Sequence, residues 1–124
     1  MNSIAIPQVI VETPAYLRAI ADIWDADTQS AFKTYIGLNY DKGDIIPNTN
    51  GLRKIRWSGS GHGKRGGARV IYYYYNKNHP IYLLFAYQKN MKDDLTEHEK
   101  KIMRQLVDRL KFALRNKETN QNGK

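Results

Sequence analysis

GLRKIRWSGSGHGKRGGARVIYYYY, residues 51–75, is the stretch that decides the fold. Its first part alternates basic and apolar residues, with Arg53, Ile55 and Trp57 on one face and Leu52, Lys54 and Arg56 on the other. That is the two-residue period of a strand. Ser58 to Gly67 then forms a glycine-rich basic loop. Arg69 to Tyr75 is a second strand candidate, strongly β-prone through four consecutive tyrosines from Tyr72. A third apolar run, Tyr82 to Tyr87, follows the turn from Asn76 to Pro80, so these last two runs are expected to form a hairpin.

Upstream, Val9 to Glu12 reads as a short first strand. Thr13-Pro14 places an N-cap before a proline at the first helical position. Tyr16, Leu17, Ile20, Ile23 and Trp24 follow at helical spacing. Asp27 is the expected cap of a second helix, whose apolar positions are Ala31, Phe32, Tyr35, Ile36 and Leu38 and whose stop signals are Asn39 and Gly43. Residues 41–51 read as a loop. Downstream, Thr96 and Glu99 make a capping box for a last helix with an apolar stripe of Ile102, Met103, Leu106, Val107, Leu110, Ala113 and Leu114. Residues 117–124 read as a flexible polar tail to a single domain over 1–116. The order β-α-α-β-β-β-α segregates helices from strands. The expected class is therefore α+β, a small antiparallel β-sheet flanked by helices.

Charge points to the partner. The chain has 20 Lys plus Arg against 12 Asp plus Glu. Every acidic residue lies at or before Asp44 or at or after Asp93, and the intervening segment holds nine cations and no acid. A field of one sign on one contiguous segment suits a polyanion, nucleic acid first. The competing reading is a solubilising surface, but such surfaces usually intersperse acids. The absence of cysteine excludes disulfides and thiolate metal sites. No stretch of about 18 apolar residues is present and residues 1–12 lack a basic leader, so no membrane partner is expected and a cytoplasmic location is.

The candidate chemistry sits on the strands. Lys54 and Arg56 leave one face of one strand, and Arg69 opens its neighbour. Lys89 follows the last strand, with Tyr87 beside it. Cations on a sheet face need water or a ligand, so this cluster is a site candidate, against the plainer reading of a solvated face. His62, Lys64 and Arg65 lie in a loop whose glycines allow backbone N–H groups near an anion, though the Gly-Lys-Ser/Thr ending of a P-loop is missing. The plainer reading there is a hairpin tip. Most of the tyrosines are expected to pack, with one or two left to stack on bases. His62, His79 and His98 lack metal-ligand spacing, and the acid-free centre disfavours a two-metal nuclease. No nucleophile triad is apparent, and no metal or cofactor is expected. RNA cleavage can proceed with cations alone: a Lys beside Arg has its charged form disfavoured and can serve as base, while Arg stabilises the phosphorane oxygens.

The run GLRKIRWSGSGHGKRGGARVIYYYY with the later YLLFAYQKN resembles the RelE/HigB-like toxins of type II toxin–antitoxin pairs, most nearly the HigB branch. The likeness covers roughly residues 43–110. It implies a RelE-like sheet flanked by helices. It also implies a messenger-RNA interferase that enters the ribosomal A site and cuts by 2′-OH attack, without metal. The family's paired basic residues fall on Lys54 and Arg56, its next-strand arginine on Arg69, and its basic residue after the last strand on Lys89. Some relatives stack a C-terminal tyrosine on the base. No tyrosine follows Tyr87, which is left to take that place. Arg53, His62, Lys64, Arg65 and Lys92 complete the expected RNA- and ribosome-binding set. The implied partner is a cognate antitoxin with a helix-turn-helix domain, and operator DNA is met only through that complex. A ParE-like inhibitor of DNA gyrase and a non-catalytic RNA- or ribosome-binding module are the rivals.

Overall fold

The computed structural model describes residues 6–58 and 67–122. The elements are β1 (Ile10–Glu12), α1 (Pro14–Ala21), α2 (Ala26–Leu38), β2 (Asp44–Ile45), β3 (Leu52–Trp57), β4 (Ala68–Tyr74), β5 (Ile81–Tyr87) and α3 (Glu97–Asn122). The class is α+β as expected, with two differences in the sheet. It has five strands in the order β1-β5-β4-β3-β2. It is also mixed, because β1 joins β5 in parallel while the other pairs are antiparallel. The extra strand, β2, is two residues long and lies inside the stretch read as a loop. No periodicity can announce so short an element. Among the described residues no helix is long and apolar enough to cross a membrane.

Two apolar clusters lie on the two faces of the sheet. On one, Ile55, Val70, Tyr72, Ile81, Leu83 and Ala86 pack against Tyr16, Ile20, Trp24, Phe32 and Ile36 of the first two helices and their link. On the other, Leu52, Ile71, Tyr73, Leu84 and Tyr87 meet Leu95, Val107 and Leu114 from α3 and its lead-in. The tyrosine run alternates accordingly: Tyr72 joins the first cluster and Tyr73 the second, with Tyr74 and Tyr75 packed at their respective margins. A register shift sets Ile71 opposite Phe85 but Tyr72 opposite Leu83, so Leu84 is an extra residue on β5. This bulge lets the consecutive Leu84 and Phe85 both join the cluster beneath α3.

Local signals explain the helices. Thr13 caps α1, its hydroxyl oxygen accepting from the Tyr16 N–H at 3.2 Å and donating to the Leu83 carbonyl at 2.9 Å. The start of the helix is thereby tied to β5. Asp25, rather than Asp27, caps α2, accepting from the Thr28 N–H at 2.8 Å. Asp27 falls in the first turn instead, where a carboxylate still favours the helix dipole. The capping box of α3 forms as expected, Glu99 N–H to Thr96 Oγ1 at 3.1 Å and Thr96 N–H to Glu99 Oε1 at 2.8 Å.

The α3 stripe is only half used. Met103, Val107, Leu110 and Leu114 pack on the sheet, whereas Ile102 and Leu106 are exposed, as is Ala113. The helix also runs past the expected start of the polar tail. Glu118 accepts hydrogen bonds from Tyr75 and Asn76 and meets His79 Nε2 at 3.0 Å. That carboxylate is held below its usual pKa, first by the His79 contact and then by Asn76.

One glycine is sterically required. Tyr72, fully buried, donates through its hydroxyl to the Tyr40 carbonyl at 2.7 Å and accepts from the Gly43 N–H at 2.9 Å. A Cβ at Gly43 would stand 2.5 Å from that hydroxyl oxygen. A ring packed in the core cannot swing aside, so Gly43→Ala breaks the hydrogen bond or displaces β2. The expected loss is about 1–3 kcal/mol, read as a lower urea midpoint. An unchanged midpoint would show that the loop relaxes freely.

Candidate active site

Strand register brings the predicted cations together. Arg56 is opposite Arg69, and Arg69 is opposite Tyr87, so one row across three strands reads Arg56–Arg69–Tyr87. The next row is Lys54–Ile71–Phe85, with Asp44 of β2 flanking Lys54. All belong to the face on which α3 packs, by the same alternation that puts Leu52, Ile71 and Tyr73 in the α3 cluster. The cover stops short of the arginine row: Arg56 is exposed and Arg69 and Lys54 are half-buried. Neither arginine forms an ion pair among the described residues, and no acidic residue occurs in the undescribed stretches. Among the described residues the row is therefore a concentration of positive charge without an acidic partner.

Lys54 differs from its neighbours. Its ammonium meets Asp94 Oδ1 at 3.4 Å. A carboxylate, and not a second cation, is thus its nearest charged partner. The Tyr87 hydroxyl reaches the same oxygen at 3.4 Å, and the Leu95 N–H donates to it at 2.8 Å. Asp94 sits well within the acid range, lowered first by the Leu95 N–H and further by Lys54. Tyr87 is only 5% exposed, and its phenol is pushed up to about 12, first by burial and then by the Asp94 charge. It stays protonated at any physiological pH. The Tyr87 ring is buried beside Phe85, at a centroid distance of 6.5 Å.

The remaining candidates fall elsewhere. Arg53 points with Ile55 and Trp57 to the opposite face, where it donates to the Gly43 carbonyl at 2.8 Å and the Asp41 carbonyl at 3.3 Å. It secures the loop that carries β2 and does not join the cluster. Trp57 beside it stacks edge-on with Trp24 and Phe32 at 5.4 and 5.5 Å. Lys92 is bound to Glu99 at 2.8 Å. Lys89 is exposed in the turn after β5, with no ion pair to the cluster. His62, Lys64 and Arg65, with the rest of the glycine-rich segment 59–66, lie outside the described residues. Among the described residues no three His, Asp or Glu side chains gather as ligands for a cation.

Sequence reasoning missed Asp94. It lies 40 positions from Lys54 and reads locally as part of a helix lead-in. The only available signal was that it borders the acid-free segment whose cations it meets.

Over residues 42–122 the chain matches the RelE toxin of the RelE/RelB toxin–antitoxin system. A solved structure of a double arginine-to-alanine mutant of the E. coli toxin RelE, in the free state, is similar with a TM-score of 0.44 and 12% identity. That alignment covers 71% of this chain and 90% of the other.

The Arg56–Arg69 pair makes a prediction that needs no substrate. Like charges directly opposite on a sheet oppose folding. Arg56→Gln is expected to raise stability by about 0.2–1 kcal/mol at low salt, and the gain should vanish near 1 M NaCl, where screening is nearly complete. Thermal melts at the two salt concentrations measure this. A destabilised variant would show that the two guanidinium groups do not repel across the strands.

Proposed function

This chain belongs to the RelE toxin family, and from that premise we propose that it is a ribosome-dependent endoribonuclease that halts translation by cutting messenger RNA. The observation that carries the proposal is the Arg56–Arg69–Tyr87 row with Lys54 beside it on an open face. Two guanidinium forks suit the non-bridging oxygens of a phosphorane. In the reaction the 2′-oxygen attacks phosphorus, the bond to the 5′-oxygen breaks, and a 2′,3′-cyclic phosphate and a 5′-hydroxyl remain. The 2′-proton passes to Lys54, which must first give up its own proton against the pull of the Asp94 carboxylate at 3.4 Å, and a proton must reach the departing 5′-oxygen. The Tyr87 hydroxyl stands in the same row as a protonated donor. No metal is required by this scheme.

The Gly51–Arg56 run and the Tyr87-x-Lys89 strand end support the HigB-like branch. Lys89 and the loop cations Lys64 and Arg65, with His62, are the proposed contacts to RNA or ribosome around the site. The proposed partners are the A site with its messenger RNA in the cytoplasm, and a cognate antitoxin with a helix-turn-helix domain. Operator DNA is met only through the antitoxin complex. Ribosome binding should weaken steeply with salt, since the positive excess is concentrated on one segment.

The test is cleavage of a translated reporter messenger RNA in a cell-free system, mapped by primer extension with and without ribosomes. Wild type should cut in phase with codons and only when ribosomes are present. Lys54→Ala, Arg56→Ala and Arg69→Ala should each lower the rate by about 10²-fold or more, while Lys54→Ala weakens RNA binding only modestly. Parallel loss of binding and cleavage would favour a plain binding module. DNA damage with messenger RNA left intact would favour a gyrase inhibitor.

A further inference from the structure

The groups of the proposed ribonuclease site come from strands, except one. Asp94 precedes α3, and its Oδ1 alone receives the Lys54 ammonium, the Tyr87 hydroxyl and the Leu95 N–H. Lys54 and Tyr87 lie on different strands and in different rows of the sheet, so the carboxylate bridges them diagonally across β4. Its own place is fixed from several directions. Leu95 is buried in the core beneath α3, and the capping box of Thr96 and Glu99 follows at once. Glu99 is in turn held by Lys92 at 2.8 Å. An oxygen anchored this way can impose a direction on two flexible or rotatable groups.

We propose that Asp94 is a positioning residue of the site, holding the Lys54 amine and the Tyr87 hydroxyl in a fixed relation to the Arg56–Arg69 row. This rests on the ribonuclease reading above. A lysine side chain is long and flexible and loses rotamer entropy on being aimed. A carboxylate behind it removes that freedom before substrate arrives. It also stabilises the ammonium that forms when the amine takes the 2′-proton, as a carboxylate does behind a catalytic imidazole. The same negative charge opposes the approach of phosphate, so its presence against Lys54 is unfavourable for simple RNA binding. A site selected for affinity alone would be better without it.

Asp94→Asn isolates the role, because the amide oxygen still accepts the Leu95 N–H. The rate at saturating ribosomes should fall about tenfold, with ribosome affinity unchanged or tighter. Asp94→Glu, which keeps the charge but moves it by a methylene, should also lose rate. Combined with Lys54→Ala, Asp94→Asn should cost less than it does alone, because part of its effect acts through Lys54. Pulse acetylation read by mass spectrometry, with Lys33 as internal reference, should show Lys54 acylated faster in Asp94→Asn than in wild type. Unchanged rate in Asp94→Asn, full activity in Asp94→Glu, additive losses in the double variant or unchanged Lys54 labelling would each overturn the proposal. A wild type that never cleaves overturns the ribonuclease reading instead, and the labelling comparison then still decides whether Asp94 holds Lys54.

Discussion

The register between β3 and β4 is the constraint on which the rest depends. It sets Leu52 opposite Tyr73, Ile55 opposite Val70 and Arg56 opposite Arg69. A slip of one residue would turn Lys54 and Arg56 into the cluster of Trp24, Phe32 and Tyr72, and would bring Ile55 and Trp57 into the open. Burying unpaired cations costs far more than any contact the slipped pairing could offer. The apolar residues of β3 therefore determine where its cations stand. The aromatic cluster around Trp57 and the Tyr72 hydroxyl, locked between Tyr40 and Gly43, fix that register from the side opposite the site.

Each face of the sheet then has a separate task. The α1/α2 side is closed: Tyr16, Ile20, Phe32 and Ile36 are fully buried there. The α3 side is covered at one end only. Val107 and Leu114 pack where Leu52, Ile71 and Tyr73 are apolar, and the lead-in to α3 reaches the margin of the cationic row through Asp94. A helix lying along the whole face would bury Arg56 and Arg69 without partners. The half-used apolar stripe of α3 is consistent with this limit, since the sheet presents apolar side chains to only part of the helix.

Much of this was legible before the structure. The alternation in residues 52–57 placed Lys54 and Arg56 on one face, and the strand beginning near Arg69 brought the third cation alongside. The Thr96–Glu99 box and the Thr13-Pro14 start were local chemistry and formed as read. What escaped was non-local. The two-residue β2 has no period, and the parallel docking of β1 on β5 joins residues some 70 positions apart. Arg53 shares the alternation of Lys54 and Arg56, but nothing in the alternation says that its guanidinium will be used by the Gly43 and Asp41 carbonyls. The stripe of α3 looked complete because helical spacing records which residues can face a core, not how wide the core is.

Charge segregation along the chain acquires its meaning only in three dimensions. The acid-free segment ends at Asp44 on one side and at Asp93 and Asp94 on the other. Folding returns both ends to Lys54: Asp44 by strand pairing and Asp94 by direct contact. Among the described residues the arginine row one step away receives no such partner. The fold thus creates two electrostatic environments within one patch, a compensated lysine and an uncompensated pair of arginines. A surface meant only to attract a polyanion has no reason to neutralise one of its cations with a structurally anchored carboxylate. A surface that must also hold an amine and a phenol in register, next to free guanidinium groups, does. That difference comes from which cations are paired and which, among the described residues, are not.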